Sequence, residues 1–553
     1  MKTKGGRVQT RETVLSYVVS VAATALIGFV LYYFTLPAIN VHSTGFWGFL
    51  ILLGVTFAAA HAGSHHLICK HEITVVGKKV TNVGVVIGGG IAVAAVLALI
   101  FGGIASAQLF HAKTYANIIT VQESEFEKDM PETTSVTNIA LMDTASARTI
   151  GNRTLGSLSQ VVSQYYVNDQ YSQINYKNLP KKVAVLEYAG FFKWVENRSN
   201  GIPGYVMVDP VNNSANYVEF NKPVKYAESG RLGDDLMRKL RFSYPTKIFG
   251  NAYFEIDDAG EPYYIVSCMT ANAGLFGAMD VAEVIIFNPV DGSSQLYDVK
   301  DVPKWVDIVY DGDLASEKYN WYGKLSGGFW NSVIGNKQCK MTTDDYGYIV
   351  IDDDVWYFTG VTSVTSDESN IGFIITNART GEYRFYSVSG AEEYSAMGAA
   401  EGEVQEKGYQ ASFPSLVNIG GQATYIMVLK DTGGLVKLYA LVNVEQYGIV
   451  ATGATQAEAI ASYRKLLARN GVSVAGDAED FAKADITVEN VRLVELNGAA
   501  TVYITATDGT VYKGTLNEDE SLVLVREGDR LTVRYEETEI AGLVQIRSWE
   551  AAK

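Results

Sequence analysis

The sequence VLSYVVSVAATALIGFVLYYFTL occupies residues 14–36 and contains no Asp, Glu, Lys or Arg. A helix of about 20 apolar residues, rising about 1.5 Å per residue, spans the hydrocarbon core of a bilayer. Two further runs without those charged residues follow at 45–62 and 83–110. Three such runs in succession predict three transmembrane helices within residues 14–110, and they disfavour a buried core helix or a cleaved signal peptide.

The basic residues around these runs predict their orientation. The cytoplasmic tail, residues 1–13, has four Lys or Arg and one Glu, whereas the link at 37–44 has no Lys or Arg. The second link contains Lys70, Lys78 and Lys79. Because Lys and Arg favour the cytoplasmic side, we expect a multi-pass protein of the cell membrane. Its N-terminus is then cytoplasmic and its C-terminal domain extracellular.

Small residues recur every four positions in the third run, at Gly84, Gly88 and Ala92. This spacing lets two helices approach closely. Packing among the three spans is one interpretation, and self-association into a homo-oligomer through the transmembrane helices is the other.

Charge and histidine are distributed unevenly along the 553 residues, whose net charge is −16. The first 111 residues have seven Lys or Arg, two Glu and all six His, whereas the remainder has 38 bases and 59 acids. The acidic balance excludes a nucleic-acid partner. The absence of His from residues 112–553 excludes a Ser-His-Asp triad or a His-ligated zinc built wholly there.

The sequence HAGSHHLICKHE, residues 61–72, gathers imidazoles and a thiol at the end of the second run. The candidate ligands are His61, His65, His66, Cys69 and His71. Imidazole with thiolate suits zinc or copper. The alternative is an interfacial segment at the level of the lipid headgroups.

Four carboxylates fall within eleven residues at Asp307, Asp311, Asp313 and Glu317. Calcium takes six to eight oxygen ligands, so this cluster is a candidate calcium site, although its spacing is not that of an EF-hand. The alternative is a solvated acidic turn. No other cofactor is predicted.

Two of the three cysteines, Cys268 and Cys339, lie on the predicted extracellular side. A disulfide persists in that environment, so the two are a candidate pair. Cys69 is predicted to be cytoplasmic and reduced.

Alternating apolar residues and Gly, Asp or Asn turns predict β-hairpins from about residue 180. NPVDGSSQLYDV (residues 288–299) matches NARTGEYRFYSV (residues 377–388), with Asn, Gly, Tyr and Val at identical spacing. VDPVNN at 208–213 is a degenerate copy in which Asn213 replaces the glycine. Capping signals predict helices at 391–407 and 456–469, and apolar spacing predicts one at 145–167.

These patterns divide the extracellular part into three segments. Residues 111–179 are predicted to form a stalk with a helical segment, and residues 180–475 a tandem α+β region of hairpin and helix units. Residues 480–553 contain short strands at close spacing, which predict a small β-barrel of the OB or SH3 type.

The hairpin unit, an apolar strand followed by an Asn-x-x-x-Gly turn and a Tyr-Val strand, resembles PepSY-type domains. The resemblance covers residues 180–470 in about three imperfect units. It implies an α+β fold, no catalytic residues, and an association with protease inhibition or envelope interactions. The whole chain also resembles uncharacterised bacterial membrane proteins that have a few N-terminal spans and a large outer domain.

No catalytic constellation is found, so the sequence predicts a non-enzymatic binding or scaffold protein of the bacterial cell envelope. Its expected partners are the lipid bilayer and either an envelope protein or the cell-wall polymer. One alternative is a regulator or inhibitor of an envelope protease. The other is a metal-dependent membrane enzyme that uses the inner-face His and Cys cluster.

Overall fold

The structure is a computed structural model. It describes residues 4–69, 74–75, 78–79, 83–130, 132–133, 141–351, 353–470, 482–496, 499–516, 519–537 and 542–551.

Three helices near the N-terminus are long and apolar enough to span a membrane, which confirms that prediction. They are α1 (Lys4–Thr35), α2 (Thr44–Cys69) and α3 (Val83–Ala105). Their apolar windows have mean hydropathies of 2.3, 1.6 and 2.7, and at most 17% of a window is buried inside the protein. Such apolar, outward-facing surfaces require a lipid environment.

Glycines allow α2 and α3 to pack closely. A Cβ at Gly88 would lie 2.6 Å from the Gly54 carbonyl oxygen, and a Cβ at Gly54 would lie 2.9 Å from the Ala92 nitrogen. A Cβ at Gly84 would lie 2.0 Å from the His61 ring. The small-residue stripe of α3 is therefore occupied within the chain. It gives no support to self-association.

The remaining helices lie in or next to the β-rich part of the chain. They are α4 (Gln108–Ala116), α5 (Phe126–Asp129), α6 (Thr144–Gly156), α7 (Ser159–Val162), α8 (Phe191–Asn197), α9 (Leu236–Ser243), α10 (Gly312–Leu325), α11 (Glu393–Glu403) and α12 (Gln456–Arg469).

The strands form several separate sheets, four of which we number I to IV. Short strands β1 (Thr74–Val75) and β2 (Lys78–Lys79) pair between α2 and α3, and β3 (Val121–Ser124) follows α4. Sheet I contains β4 (Tyr165–Val167), β5 (Ser172–Tyr176), β6 (Leu179–Tyr188), β7 (Ile202–Asp209) and β8 (Ser214–Val224). Sheet II contains β9 (Ile248–Ile256), β10 (Pro262–Ala273), β11 (Gly277–Phe287) and β12 (Ser294–Asp298).

Sheets III and IV follow in the chain. Sheet III contains β3 with β13 (Lys340–Thr342), β14 (Gly347–Ile351), β15 (Asp354–Ser363), β16 (Ser366–Asn377), β17 (Tyr383–Tyr386) and β18 (Gly390–Ala391). Sheet IV contains β19 (Gln410–Ala411), β20 (Ser415–Ile419), β21 (Gln422–Lys430), β22 (Val436–Asn443) and β23 (Val450–Gly453).

Sheets I to IV share one plan, in which a helix precedes a run of antiparallel strands, and sheet III has β3 as an additional, parallel strand. The helices are α6, α9, α10 and α11, in the order of the sheets, and α12 follows sheet IV. Sheets I and II share a hydrophobic core that includes Val206 and Phe254. Sheets III and IV share another, which includes Phe373 and Tyr425. The β-rich part is thus two pairs of packed α+β units.

In each of these sheets, an Asn or Asp at the end of one strand begins the turn that leads to the next strand. The Oδ1 atoms of Asp209, Asn288, Asn377 and Asn443 each accept a backbone N–H from two or three residues further on. This local bond fixes the start of the turn. The copy at Asn443 was not predicted, because the residues after it share only the asparagine with the others.

The predicted turn positions adopt left-handed backbone conformations. The φ angles of Gly292, Gly381 and Asn213 are +79°, +72° and +51°. Glycine and asparagine tolerate this region best. The backbone geometry of these three positions is therefore that of the tight turns predicted from the sequence.

The segment predicted as a stalk contributes strands to two sheets. Strand β3 pairs in parallel with β17 of sheet III, and β4 and β5 belong to sheet I although they precede residue 180. The helix predicted at 145–167 ends at Gly156 as α6. It ends because Tyr165 and Val167 are buried in β4 against β6. The other predicted helices correspond to α11 and α12.

The C-terminal strands are β24 (Ala482–Leu496), β25 (Ala499–Ala506), β26 (Val511–Thr515), β27 (Arg530–Glu537) and β28 (Leu543–Ala551). They hydrogen-bond in the closed order β24-β25-β26-β28-β27, in which only β26 and β28 are parallel. Val502, Ile504 and Val533 are at most 1% exposed inside the ring. Closure removes the free strand edges.

Candidate ligand cleft

One residue of the predicted histidine cluster, His61, packs inside the bundle of long apolar helices. His61 is 1% exposed between the helices, and its Nδ1 lies 3.1 Å from the Ser20 hydroxyl oxygen. The Ser20 hydroxyl also lies 2.8 Å from that of Ser64. Polar side chains that hydrogen-bond between membrane helices hold those helices together. Helix packing therefore explains the position of His61.

Of the other predicted metal ligands in this cluster, only His65 and His66 have described side chains. The His65 ring centroid lies 6.0 Å from that of His61, and His66 is exposed. The side chain of Cys69 and all of His71 lie outside the described residues. Within the described ranges, no three His, Cys, Asp or Glu side chains are arranged to hold a metal ion.

The predicted acidic cluster is also separated. Asp307 is buried, its Oδ2 accepts the Asn175 N–H at 2.9 Å, and it lies beside the buried Glu255. Glu255 accepts the backbone N–H groups of Asp307 and Ile308 at 2.9 and 2.8 Å. Burial raises the pKa of both carboxyls, and the charge of Glu255 raises the pKa of Asp307 further.

The remaining acids of that cluster belong to α10. Asp311 is the N-cap, and its Oδ1 accepts the Leu314 N–H at 2.7 Å. Asp313 and Glu317 lie on the helix itself. The structure does not bring them together with Asp307 as a calcium site, because Asp307 faces a buried partner and Asp311 caps a helix.

The predicted disulfide is not formed. Cys268 lies on β10 in sheet II, Cys339 lies just before β13 in sheet III, and both thiols are buried and free. The Cys339 sulfur lies 3.4 Å from the Lys324 carbonyl oxygen. Burial raises the pKa of Cys268 to about 12. The Cys268 thiol is therefore not activated for exchange.

A cleft of about 440 Å³ lies where sheets I, III and IV meet. It is lined by the start of α6, one residue of β6, the start of β14, α11 and the start of β20. These residues are Leu141, Met142, Asp143, Thr144, Ala145, Lys182, Asp345, Tyr346, Gly347, Tyr348, Tyr394, Met397, Phe413, Pro414 and Ser415.

Lys182 supplies the positive charge of this cleft. It is only 2% exposed, and its ammonium nitrogen lies 4.7 Å from the centroid of the Tyr348 ring. Among the described residues, that nitrogen makes no hydrogen bond or ion pair, although Asp143 is near enough to favour its charge. Burial lowers the pKa of Lys182 to about 8, so the amine is still mainly protonated at neutral pH.

The neighbouring Asp143 is already paired. Its Oδ2 lies 2.6 Å from the Lys430 ammonium, and its Oδ1 accepts the Ser146 N–H at the start of α6. Burial alone would raise the pKa of Asp143, but the bonds from Lys430 and Ser146 hold it below its usual range. Asp143 therefore stays charged and forms its ion pair with Lys430, while it acts on Lys182 only at longer range.

Aromatic rings form one wall of the cleft. The Tyr346 and Tyr348 centroids are 6.0 Å apart, and both rings contact Tyr357, at 5.3 and 5.4 Å. Tyr394 and Phe413 stand on another side, with centroids 6.2 Å apart. Burial raises the pKa of Tyr348 to about 12, so it acts as a neutral hydrogen-bonding ring. Such rings bind flat apolar faces and polar edges together.

Sequence reasoning did not identify Lys182. The stretch KKVAVLEY begins with two lysines in a strand whose following residues are almost all buried. A strand with both faces covered forces a consecutive pair of lysines to bury one side chain. Lys181 pairs with Asp209 at 2.7 Å, whereas Lys182 enters the cleft.

Comparisons with known proteins assign no family to the chain. No family model and no curated protein matches it. Among solved structures, a B. megaterium levansucrase mutant is 9% identical over 78% of this chain and 96% of that chain, with a TM-score of 0.17. This likeness is too low to establish a shared fold.

Proposed function

We propose that this chain is a membrane-anchored, non-enzymatic binding protein of the bacterial cell envelope, and that its cleft holds an anionic group of the ligand. The observation that carries the proposal is Lys182, a buried ammonium that faces the cleft. A buried charge without a close counter-ion opposes folding. A carboxylate or phosphate bound in the cleft supplies that counter-ion.

The location of the cleft favours a ligand outside the cell. The basic residues before α1 and between α2 and α3 support a cytoplasmic N-terminus. An odd number of spans then puts the β-rich part on the extracellular side. The tyrosines of the cleft suit sugar rings, so we favour a cell-wall polymer that has carboxylate or phosphate groups.

The four helix-and-sheet units fit this role as a scaffold. The PepSY-like part of the proposal is based on their hairpins with Asn or Asp turns, and the OB-like or SH3-like part is based on the closed C-terminal ring. The cleft forms where three units meet, so tandem repetition creates a surface that one unit lacks.

Binding of cell-wall fragments to the purified full-length protein tests the proposal. The probes are soluble muropeptides, which have carboxylates, and teichoic-acid fragments, which have phosphates. We expect binding to one of them to weaken at least about tenfold in Lys182→Met, because a buried charge-assisted contact contributes about 1.5–3 kcal/mol. Lys407→Met, at an exposed lysine after α11, is the matched control.

The same amine gives a pH signature. Binding is expected to weaken as the pH rises through about 8, where Lys182 loses its proton. Binding that is equal in Lys182→Met and wild type would contradict the proposal. Recovery of an envelope protease as the sole partner in a pull-down would instead favour the role of a protease regulator.

A further inference from the structure

The β-rich part contacts the end of the membrane bundle through α9. The Arg241 Nε donates to the Leu36 carbonyl at 3.0 Å, and the Arg238 Nε donates to the Tyr33 carbonyl at 3.1 Å. The Arg238 guanidinium also lies 4.2 Å from the Tyr33 ring centroid. Because these carbonyls end α1, α9 lies at the level where that helix leaves the hydrocarbon.

Exposed apolar side chains continue from α9 away from the bundle. Phe242 is 47% exposed and packs its ring 5.6 Å from that of Tyr32 in α1. Leu232 is 52% exposed, and its carbonyl accepts the Arg238 Nη1 at 2.8 Å. The apolar surface of α1 is thereby extended onto the β-rich part.

Helix α8 extends this surface further. Trp194 in α8 donates its indole N–H to Asp234, two residues from Leu232, at 3.2 Å. On the outer side of α8, Phe191, Phe192 and Val195 are exposed by 54, 78 and 48%. Exposed apolar side chains grouped in this way are typical of an interaction surface.

A second apolar segment lies beside the end of α3. There Tyr115 of α4 packs on Trp321 with centroids 5.0 Å apart, and Phe329 joins the same cluster. The helical turn Asn331–Gly335 follows, and Trp330 and Ile334 are 65 and 76% exposed. Since α4 begins three residues after α3 ends, this turn is also close to the membrane.

Helix α9 is basic, whereas the chain as a whole is acidic. Helix α9 has the sequence LMRKLRFS, with three basic residues and no acid, whereas the whole chain has a net charge of −16. Aromatic rings with nearby Arg and Lys are typical of the membrane interface, where rings lie among headgroups and cations meet phosphates.

We propose that the β-rich part rests on the bilayer, with the exposed apolar side chains of α8 and α9 and the helical turn that follows Trp330 and contains Ile334 inserted among the lipid headgroups. The occupant is lipid because both segments continue the apolar surfaces of α1 and α3. The consequence is a fixed orientation of the cleft relative to the membrane. The proposal is independent of the ligand and of the side on which the domain lies.

Tryptophan quenching in nanodiscs that hold one copy of the full-length protein tests this. The lipid is phosphatidylcholine brominated near the headgroup end of its acyl chains. We expect the added emission of Phe192→Trp to fall about twofold relative to unbrominated lipid, because an interfacial indole meets the bromine. Tyr447→Trp is the control, since Tyr447 is 56% exposed on a loop of sheet IV.

Trp330 is tested by its removal. We expect Trp330→Phe to reduce the quenched part of the wild-type emission. Trp305→Phe, at a half-buried indole packed against the core of sheet II, should leave it unchanged. An indole at position 192 or 330 that brominated lipid does not quench would overturn the proposal. Quenching that appears only when two copies share a disc would assign these exposed apolar side chains to self-association and would also overturn it.

Discussion

Replacing Lys182 by methionine keeps the length of the side chain and removes its charge. The pKa of this amine falls from 10.5 to about 8 on folding. At about 1.4 kcal/mol per tenfold change, that lowering corresponds to about 3 kcal/mol that opposes folding while the amine is charged. Lys182→Met removes this unfavourable free energy, but it also loses the contact of the ammonium with the Tyr348 ring, which stabilises the folded protein by about 1 kcal/mol. We therefore expect Lys182→Met to be more stable by about 2 kcal/mol at neutral pH.

The sign of the pH dependence follows from the same pKa. Between about 8 and 10.5 the unfolded chain binds a proton at this lysine and the folded chain does not, so wild-type stability gains from rising pH. The stability of Lys182→Met does not gain in this way, because methionine binds no proton. The stability difference between the two proteins is thus largest below pH 8 and shrinks toward pH 10.5.

Thermal unfolding in detergent, followed by tryptophan fluorescence, measures this difference. For a cooperative unit of 150–250 residues, about 2 kcal/mol raises Tm by roughly 4–8 °C. Other titrating groups cancel in the comparison, because both proteins contain them. A lower Tm for Lys182→Met, or a difference that does not change between pH 7 and 10.5, would refute the reasoning and give Lys182 a structural role.

Three further predictions concern the fold. Wild type should lose stability as pH rises above 4.5, because burial raises the pKa of Asp307 and Glu255 and the charge of Glu255 raises that of Asp307 further. Asp307→Asn should weaken the resulting fall in Tm, and an unchanged pH profile would contradict this. Gly88→Val should lower the Tm of the membrane bundle by an amount corresponding to about 1–3 kcal/mol, because its Cβ meets the backbone of α2, whereas Gly90→Val, with open space around it, should not. Gly381→Ala should lower stability in urea titration by about 1–3 kcal/mol, because φ is +72° and a tyrosine ring lies beneath it. Gly398→Ala in α11 should raise stability by about 0.5–1 kcal/mol, and equal effects of the two alanines would refute the turn argument.

Local signals predicted the membrane helices and the turns. Uninterrupted apolar runs specify spans by themselves, and Asn213, Gly292 and Gly381 occupy left-handed positions that few other residues adopt. Helix α12 matches its predicted bounds, since a capping box begins it and Asn470 follows it. Each of these features depends on residues close together in the sequence.

Features that depend on distant contacts were missed. The segment before residue 180 was predicted as a stalk, because the pairing of β3 with β17 joins residues more than 250 positions apart in the sequence. From the sequence alone, the acidic cluster is compatible with a solvated turn. The burial of Asp307 depends on its contact with Glu255, which lies on β9 about 50 residues earlier. The cleft depends on three units meeting around Lys182, and periodicity shows only that one of two adjacent lysines is buried.

Photo-crosslinking in living cells tests most directly whether the cleft binds a ligand of the cell envelope. A photoreactive amino acid replaces Met397, which lines the cleft, or Tyr447, which lies exposed elsewhere on sheet IV. We predict an adduct that contains a carboxylate or phosphate at position 397, absent at 447 and lost in combination with Lys182→Met. An adduct at 397 that persists without Lys182, or equal adducts at both positions, would contradict the account.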